Sequence, residues 1–202
     1  MQEIGNPLNI TIPDHLIAKV PLTPRSSSKL LLVSKSGEFL NHHKTIDLAK
    51  LLRQDDVLVV NNTQVYKARL EATRKSGATC SLLILNQCKD KPEEWLALAK
   101  PSKRLRVGEK LNLTKNYELY ITKKTEASFV HLRANAPMMQ LLDDIGIVPL
   151  PPYLGHNIEA SQKLEKNYQS IFSQKTGAVA APTASLHFDE ALLTSLNQKN
   201  IT

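Results

Sequence analysis

Residues 70–100 read LEATRKSGATCSLLILNQCKDKPEEWLALAK, and this stretch decides the fold prediction. It contains two short apolar runs, residues 81–85 and 95–99. Runs of this length, bounded by Gly, Pro, Asn, Asp or Ser, are typical of β-strands. The same spacing continues downstream, with three more runs at 110–113, 118–121 and 129–132 and with turn signals at 76–77, 89–92, 107–108 and 115–116. Closely spaced short strands predict a small barrel or sandwich.

The segment before this stretch has a mixed pattern. Residues 30–33 and 57–60 are apolar runs that predict two buried strands, and residues 46–53 between them have helical periodicity. Strand, helix and strand with short connections predict an α/β layer.

Helical character returns after the barrel stretch. Residues 137–145 and 160–172 predict helices, and the first of them has a proline near its start and Gly146 as its stop signal. We therefore expect an α/β domain, residues 1–69 plus 134–202, that is interrupted by a small β-barrel insert, residues 70–133.

The composition bounds the kind of protein. The 202 residues carry a formal net charge of +7. Such a surplus favours polyanions such as nucleic acids, although a merely soluble basic protein has the same balance. No apolar run reaches the roughly 18 residues that a membrane helix needs, and the N-terminus lacks a secretory pattern. We expect a cytoplasmic protein with no membrane partner.

The cysteine and histidine pattern gives no local metal motif. Cys80 and Cys88 are the two cysteines, and without a secretory signal we expect them to be free thiols. Apart from adjacent His42 and His43, no Cys or His pair has zinc-like spacing, so the sequence predicts no metal site.

The strongest site candidate is GAVAAPTASLHF, residues 177–188. Small residues with one proline are poor material for a core helix, so we expect a pocket wall that includes Pro182 and Thr183. His187 has two interpretations, a group that titrates or donates near a ligand and a side chain that caps the local backbone. The next helix, from Asp189 as N-cap, is expected to expose an apolar face made by Leu192, Leu193 and Leu196.

Two earlier segments are further candidates. Asn61, Asn62 and Thr63 follow the second predicted strand, where open α/β sheets bind ligands, but an ordinary Asx turn is the alternative. Residues 24–29 combine cations and hydroxyls, including Arg25 and Ser28, that suit a phosphate or carboxylate. A solvated loop is the alternative there.

Nucleic-acid contacts have candidates of their own. Lys103, Arg104 and Arg106 place three cations in a short turn of the barrel, which suits an RNA backbone or is an exposed basic turn. Tyr153, after two prolines, offers a ring for base stacking, with a structural polyproline joint as the alternative.

Taken in order, several segments resemble the S-adenosylmethionine:tRNA ribosyltransferase-isomerase family, QueA. The resemblance spans the chain and is most specific in residues 177–188. The other matching segments are 16–18 with Pro21, 24–31, 56–63, 68–70, 101–105, 148–153 and 168–169.

The resemblance implies an activity, a substrate set and a fold. Such enzymes transfer and isomerise the ribosyl part of S-adenosylmethionine onto 7-aminomethyl-7-deazaguanine in tRNA, which gives epoxyqueuosine. A base starts the reaction at the acidified ribose carbon, and the aminomethyl nitrogen is the nucleophile. S-adenosylmethionine is a substrate and no cofactor is implied. The implied fold is an α/β domain interrupted by a β-barrel.

The residue patterns and the resemblance together give site candidates but no catalytic assignment. Substrate-binding candidates are Arg25, Ser28, Asn61, Asn62, Thr63, Arg69, Pro182, Thr183 and His187. The tRNA contact candidates are Lys103, Arg104, Arg106 and Tyr153.

The sequence also departs from the family pattern. Family members continue past the His-Phe motif, so we expect a truncated member, and a C-terminal half supplied by another chain is one hypothesis. Gln64, Lys67, Ser81, Ile147 and Ser185 stand where the pattern has Arg, Pro, Glu, His and Gly. A site that stabilises developing charge depends on placed donors and acceptors. Two hypotheses follow, a working enzyme and a non-catalytic basic RNA-binding remnant.

Overall fold

The computed structural model describes residues 12–18, 20–125, 128–151 and 165–201. Tyr153 and the first part of the helix expected over 160–172 lie outside these residues. Among the described residues, no helix has the length and apolar character needed to cross a membrane.

The chain before the barrel forms small elements. Strands β1 (Lys29–Val33) and β2 (Leu40–Lys44) form an antiparallel pair, which is followed by helix α1 (Leu48–Leu51) and strand β3 (Thr63–Val65). The strand expected at 30–33 is present, but it is not buried, because Leu31 and Val33 are each 51% exposed in a two-stranded hairpin. The helix expected over 46–53 is shorter, a 3-10 turn and then α1.

The prediction of a second buried strand at residues 57–60 is wrong. The structure has no strand there, and the exposed fractions are 74% for Val57 and 90% for Val59. The physical reason is that no described strand pairs with this segment, so neither its backbone nor its side chains have a sheet to join.

Six strands then close an antiparallel barrel in the order β4-β5-β6-β9-β8-β7. Each of the five predicted runs overlaps one of these strands, and β4 is additional. Their bounds are β4 (Arg69–Arg74), β5 (Thr79–Cys88), β6 (Lys91–Lys100), β7 (Lys110–Asn112), β8 (Glu118–Lys124) and β9 (Phe129–Ala134).

Alternating side chains fill the barrel. In β9, Val130 and Leu132 are fully buried, whereas the residues between and beside them are not. This alternation is expected where successive side chains point to opposite faces of a strand. Burying one such aliphatic side chain contributes about 1.5–3 kcal/mol.

Helix α2 (Met138–Ile145) joins this core. Its prediction is confirmed, with Pro137 as N-cap and Gly146 as C-cap. Leu141 and Leu142 are fully buried in the same cluster as the barrel residues. The described part of the helix expected over 160–172 contains only a 3-10 turn, Lys166–Tyr168.

Strand β10 (Lys175–Ala178) pairs in parallel with β3, and helix α3 (Glu190–Gln198) follows. The prediction that α3 exposes an apolar face is wrong. Leu192 and Leu196 are 0% and 2% exposed, and Leu193 is half-buried. The reason is that α3 packs on α1 and on an apolar cluster that includes Phe188.

The coarse architecture is thus a closed barrel flanked by a hairpin, a parallel strand pair and short helices.

Candidate functional site

A cavity of about 400 Å³ brings two separate segments together. One wall is residues 58–61, and the other is residues 182–185 with Phe188. Three of the sequence-predicted residues, Asn61, Pro182 and Thr183, therefore line one space. Among the described residues that line it, no side chain is charged, so this cavity can orient a ligand by shape and hydrogen bonds.

The second wall is a 3-10 turn, Thr183–His187, that starts after Pro182. The Ser185 amide donates to the Pro182 carbonyl at 2.9 Å, and the Phe188 amide donates to the Ser185 carbonyl at 3.2 Å. The Phe188 ring makes an edge-on contact with the Phe172 ring, with the ring centroids 5.3 Å apart. The turn is thus fixed by its own backbone and by one buried ring.

The first wall ends in an Asx turn. The Asn61 Oδ1 atom accepts from the Thr63 amide at 2.8 Å, so the Asx-turn alternative describes the geometry of this side chain. The Asn62 carbonyl accepts from the Gln174 and Lys175 amides at 2.9 and 3.1 Å. Asn62 and Thr63 therefore join the wall to β10.

Gln169 is a structural residue that the reasoning on single residues missed. Its Nε2 atom donates to the Val65 carbonyl at 2.6 Å, and its Oε1 atom accepts from the Val65 amide at 3.1 Å. The side-chain amide thus forms the same two hydrogen bonds with the Val65 backbone that a neighbouring strand would form. The signal available in the sequence was its place in the family-like pair Tyr168-Gln169.

Arg25 and Ser28 are engaged within the protein. The Arg25 guanidinium donates to the carbonyls of Gln169, Lys166 and Asn167 at 2.8, 3.3 and 3.5 Å. The Ser28 hydroxyl is 2.7 Å from the Thr45 hydroxyl in a buried pair. Neither residue lines the cavity.

Asp189 ties the loop that holds Arg25 to the site. Its carboxylate accepts from the Ser26 amide at 2.8 Å and from the Leu192 amide at 3.1 Å, so the predicted N-cap is confirmed. Burial by itself raises the pKa of Asp189, but the hydrogen bonds from Ser26 and Leu192 outweigh it and hold the pKa below its ordinary value.

Replacing Asp189 with Ala is expected to destabilise the protein by about 1–2 kcal/mol at pH 7, because a helix cap and a loop anchor are lost together. Since the folded pKa is lowered, the stabilisation is present above the unfolded value of about 3.9 and is lost as the pH falls through the folded value. Urea denaturation at pH 7 and near pH 3 checks this. Exposed Glu190→Gln in the same helical turn is the control, and an equal effect of both variants would contradict the anchor role.

The remaining predicted residues lie apart from this cavity. His187 is exposed and does not line it. Arg69 pairs with Ile147 through two backbone hydrogen bonds of 3.0 and 2.9 Å, and its guanidinium donates to the Leu150 carbonyl at 3.4 Å.

That pairing borders a second cavity of about 440 Å³ at the junction of barrel and α2. Lys67 and Ile147, two departures from the family pattern, both line it. The Lys67 ammonium is 3.0 Å from the Glu165 carboxylate there. The two residues that the resemblance marks as departures therefore share one space.

The basic turn of the barrel presents its three cations to solvent. Lys103, Arg104 and Arg106 are all exposed. Their backbone is held by Glu109, which accepts from the Arg106 amide at 3.0 Å, and by Arg74, which donates to the Arg104 carbonyl at 2.7 Å.

Arg74 and Glu109 also pair with each other. The Arg74 Nε atom is 2.6 Å from one Glu109 oxygen, and its Nη2 atom is 3.0 Å from the other. This two-point contact with the guanidinium lowers the pKa of Glu109 below its ordinary value. Hydrogen bonds therefore hold the base of the turn, while its charged side chains are exposed.

Comparison with known proteins bears on all of these segments. Residues 7–202 match a family model described as queuosine biosynthesis protein. The S-adenosylmethionine:tRNA ribosyltransferase-isomerase of Aquifex aeolicus is 35% identical over 192 residues, which is 94% of this chain and 56% of that protein. The protein with the same name from Synechococcus sp. is 39% identical over 203 residues, with coverages of 94% and 54%.

A crystal structure of an S-adenosylmethionine tRNA ribosyltransferase from Thermotoga maritima is 21% identical, with a TM-score of 0.36. The match covers 96% of this chain and 54% of that one. The chain spans about half the length of the curated relatives it matches. Because the family model covers nearly the whole chain, the resemblance read from the ordered motifs is confirmed, and the protein belongs to the queuosine biosynthesis protein family.

Proposed function

We propose that this protein acts in tRNA queuosine biosynthesis as the barrel-bearing part of an S-adenosylmethionine:tRNA ribosyltransferase-isomerase. One observation carries the proposal. The 400 Å³ cavity is formed by two segments that match the family, and Asn61 from one segment and Thr183 from the other both line it. S-adenosylmethionine is proposed as a substrate, and no cofactor is proposed.

The cavity suits the binding of a nucleoside more than proton transfer. The Asn61 amide and the Thr183 hydroxyl supply hydrogen-bonding groups, and Val60 and Phe188 supply apolar surface. Abstracting a proton from the ribose needs a base whose pKa lies near the working pH. None of the described residues that line the cavity is such a base, so we propose that these 202 residues bind substrate without turning it over.

We further propose that residues 1–69 plus 134–202 are one α/β domain, into which residues 70–133 are inserted as the barrel. The parallel pair β3 and β10 supports this arrangement, because it joins the two flanks on either side of the barrel. Val59 is exposed and lines the cavity, and exposed Val57 precedes this wall in the chain. We propose that sequence outside these 202 residues completes the sheet at this place and provides the base.

Binding of tRNA is proposed to depend on the exposed turn of Lys103, Arg104 and Arg106. A non-catalytic RNA-binding protein is the second candidate function, and the same turn favours it. The two candidates differ in turnover, which is measured as adenine release from S-adenosylmethionine with tRNA that carries 7-aminomethyl-7-deazaguanine. They share the prediction of salt-dependent tRNA binding.

Replacing Lys103, Arg104 and Arg106 together with Ala is expected to weaken tRNA binding and to reduce the slope of log K against log salt by about 2–3. The reason is that the variant contacts fewer phosphates, so its binding releases fewer counterions from the tRNA. Filter binding between low and moderate salt measures the slope. The control carries Ala at three exposed cations outside the barrel, Lys35, Lys44 and Arg53, and equal slopes for the two variants would contradict the proposed contact.

A further inference from the structure

Three side chains of unlike chemistry meet on the wall of the barrel. Cys88, Glu94 and His131 each place one potential ligand atom within 4.8 Å of the other two. The Cys88 Sγ atom is 3.3 Å from His131 Nδ1, and Glu94 Oε2 is 3.7 Å from the same nitrogen. Glu94 is buried and the other two are half-buried.

The barrel strands hold this group in place. Cys88 ends β5, Glu94 lies in β6, and His131 lies in β9. Val130 and Leu132 on either side of His131 fill the barrel core, so His131 points to the outer face. The ligands come from three different strands, which is why no local spacing in the sequence predicts them.

The geometry distinguishes a metal site from a catalytic triad. A triad needs the cysteine on one ring nitrogen of the histidine and the carboxylate on the other. Here the thiol and the carboxylate both approach Nδ1. With Zn–S near 2.3 Å and Zn–N or Zn–O near 2.0–2.1 Å, tetrahedral ligands lie about 3.3–3.6 Å apart. The two observed separations lie at or close to this range.

We propose that Cys88, Glu94 and His131 bind one zinc ion, with water as the fourth ligand. Thiolate, imidazole and carboxylate are the three protein ligand types that zinc accepts. The Cys88 thiol releases its proton to solvent when the ion binds. The bound ion joins the end of the β5–β6 hairpin to β9.

The surrounding charges are consistent with a cation there. Burial and nearby acids, with Glu94 foremost and then Asp90 and Glu93, raise the pKa of the Cys88 thiol above its ordinary value. The Lys91 ammonium, 3.4 Å from the other oxygen of Glu94, partly offsets the acids. A divalent ion at the cluster stabilises the thiolate and the carboxylate together.

Titration of the untagged chain with Co²⁺ tests the site. We expect one equivalent to bind, with a sulfur-to-cobalt charge-transfer band in the near ultraviolet and strong visible bands of tetrahedral cobalt, both abolished by Zn²⁺. Cys88→Ala should remove the charge-transfer band, and Glu94→Gln and His131→Ala should weaken binding about 100-fold or more, beyond the 10–100-fold typical of outer-shell changes. Zinc at 100 times its dissociation constant should raise the melting temperature by about 5–10 °C.

Two controls address other ligands. Cys80→Ala removes the buried second thiol, and His42→Ala breaks the adjacent histidine pair, so both should keep the full cobalt spectrum. If a variant of a ligand residue melts at low temperature, the readout becomes the alkylation of Cys88 in the unaltered chain. Bound Zn²⁺ should protect Cys88 from the alkylating reagent. Absence of the charge-transfer band, its survival in Cys88→Ala, or no protection of Cys88 would overturn the proposal.

Discussion

Substituting Ala for Gly146 is expected to destabilise the protein by about 3 kcal/mol or more, at the upper end of the cost of overpacking. A β-carbon at this position would lie 2.1 Å from the Lys67 carbonyl oxygen and 2.3 Å from the Leu142 carbonyl oxygen. Both are backbone atoms, which cannot rotate away as a flexible side chain can. The requirement is close approach, because the φ angle of Gly146 is −69°, an ordinary value for any residue.

The neighbouring hydrogen bonds prevent the backbone from yielding. The Gly146 amide donates to the Leu142 carbonyl at 2.8 Å and closes α2. The next residue, Ile147, is held by both of its hydrogen bonds to Arg69. Shifting Gly146 therefore disturbs the end of α2 and the start of β4 together, and α2 contributes Leu141 and Leu142 to the barrel core.

Urea denaturation followed by circular dichroism measures this effect. The matched control is Gly177→Ala, since among the described residues other than its two chain neighbours no atom lies within 4 Å of the position of its added β-carbon. That variant should stay within about 0.5 kcal/mol of the original protein. If both alanine variants unfold at the same urea concentration, the packing of Gly146 against Lys67 and Leu142 is wrong.

The barrel was predictable because its signals are local. Five of the six strands show their own short apolar run and their own turns, as in residues 81–85 and 95–99. Closure depends on pairing between distant strands, such as β4 with β7, and no local pattern in the sequence specifies that pairing. The sandwich alternative was therefore open until the pairing of β4 with β7 was known.

The flanks were harder because burial depends on partners. The apolar run at 57–60 has the composition of a buried strand, yet Val59 is 90% exposed where no described strand pairs with it. The opposite error occurred in α3, where Leu192 and Leu196 were expected to be exposed but pack on α1 and its neighbours. Periodicity identifies an apolar face and does not say what covers it.

The candidate site was predicted in part. Asn61, Pro182 and Thr183 were proposed separately and line one cavity. The role of Arg25 was not predictable from residue type, because its bonds reach carbonyls more than 140 residues away. A cation with hydroxyls nearby has the same composition whether it binds a ligand or the protein's own backbone.

The purified chain is expected to release no measurable adenine from S-adenosylmethionine with tRNA that carries 7-aminomethyl-7-deazaguanine, a rate at least about 10³-fold below that of a full-length family enzyme. The described lining of the cavity offers no base for the first proton transfer. In addition, Gln64, Ser81 and Ile147 stand where the family pattern has charged or titrating groups. The Gln64 amide oxygen instead accepts from the Thr176 hydroxyl at 2.9 Å, which is a bond within the protein.

Adenine release is followed by chromatography, with the full-length Aquifex aeolicus relative as the positive control. If the chain releases no adenine, retained tRNA binding and a cooperative thermal transition are needed to show that it is folded. Adding the remaining part of the relative as a separate polypeptide then tests completion of the site. Adenine release after this addition would support the proposed completion of the site by sequence outside these residues, whereas turnover by these 202 residues alone near the control rate would show that they already contain the base. No release in either mixture, with salt-dependent tRNA binding intact, would favour the non-catalytic RNA-binding function, because binding needs only the exposed cations of the barrel whereas catalysis needs placed groups around the ribose.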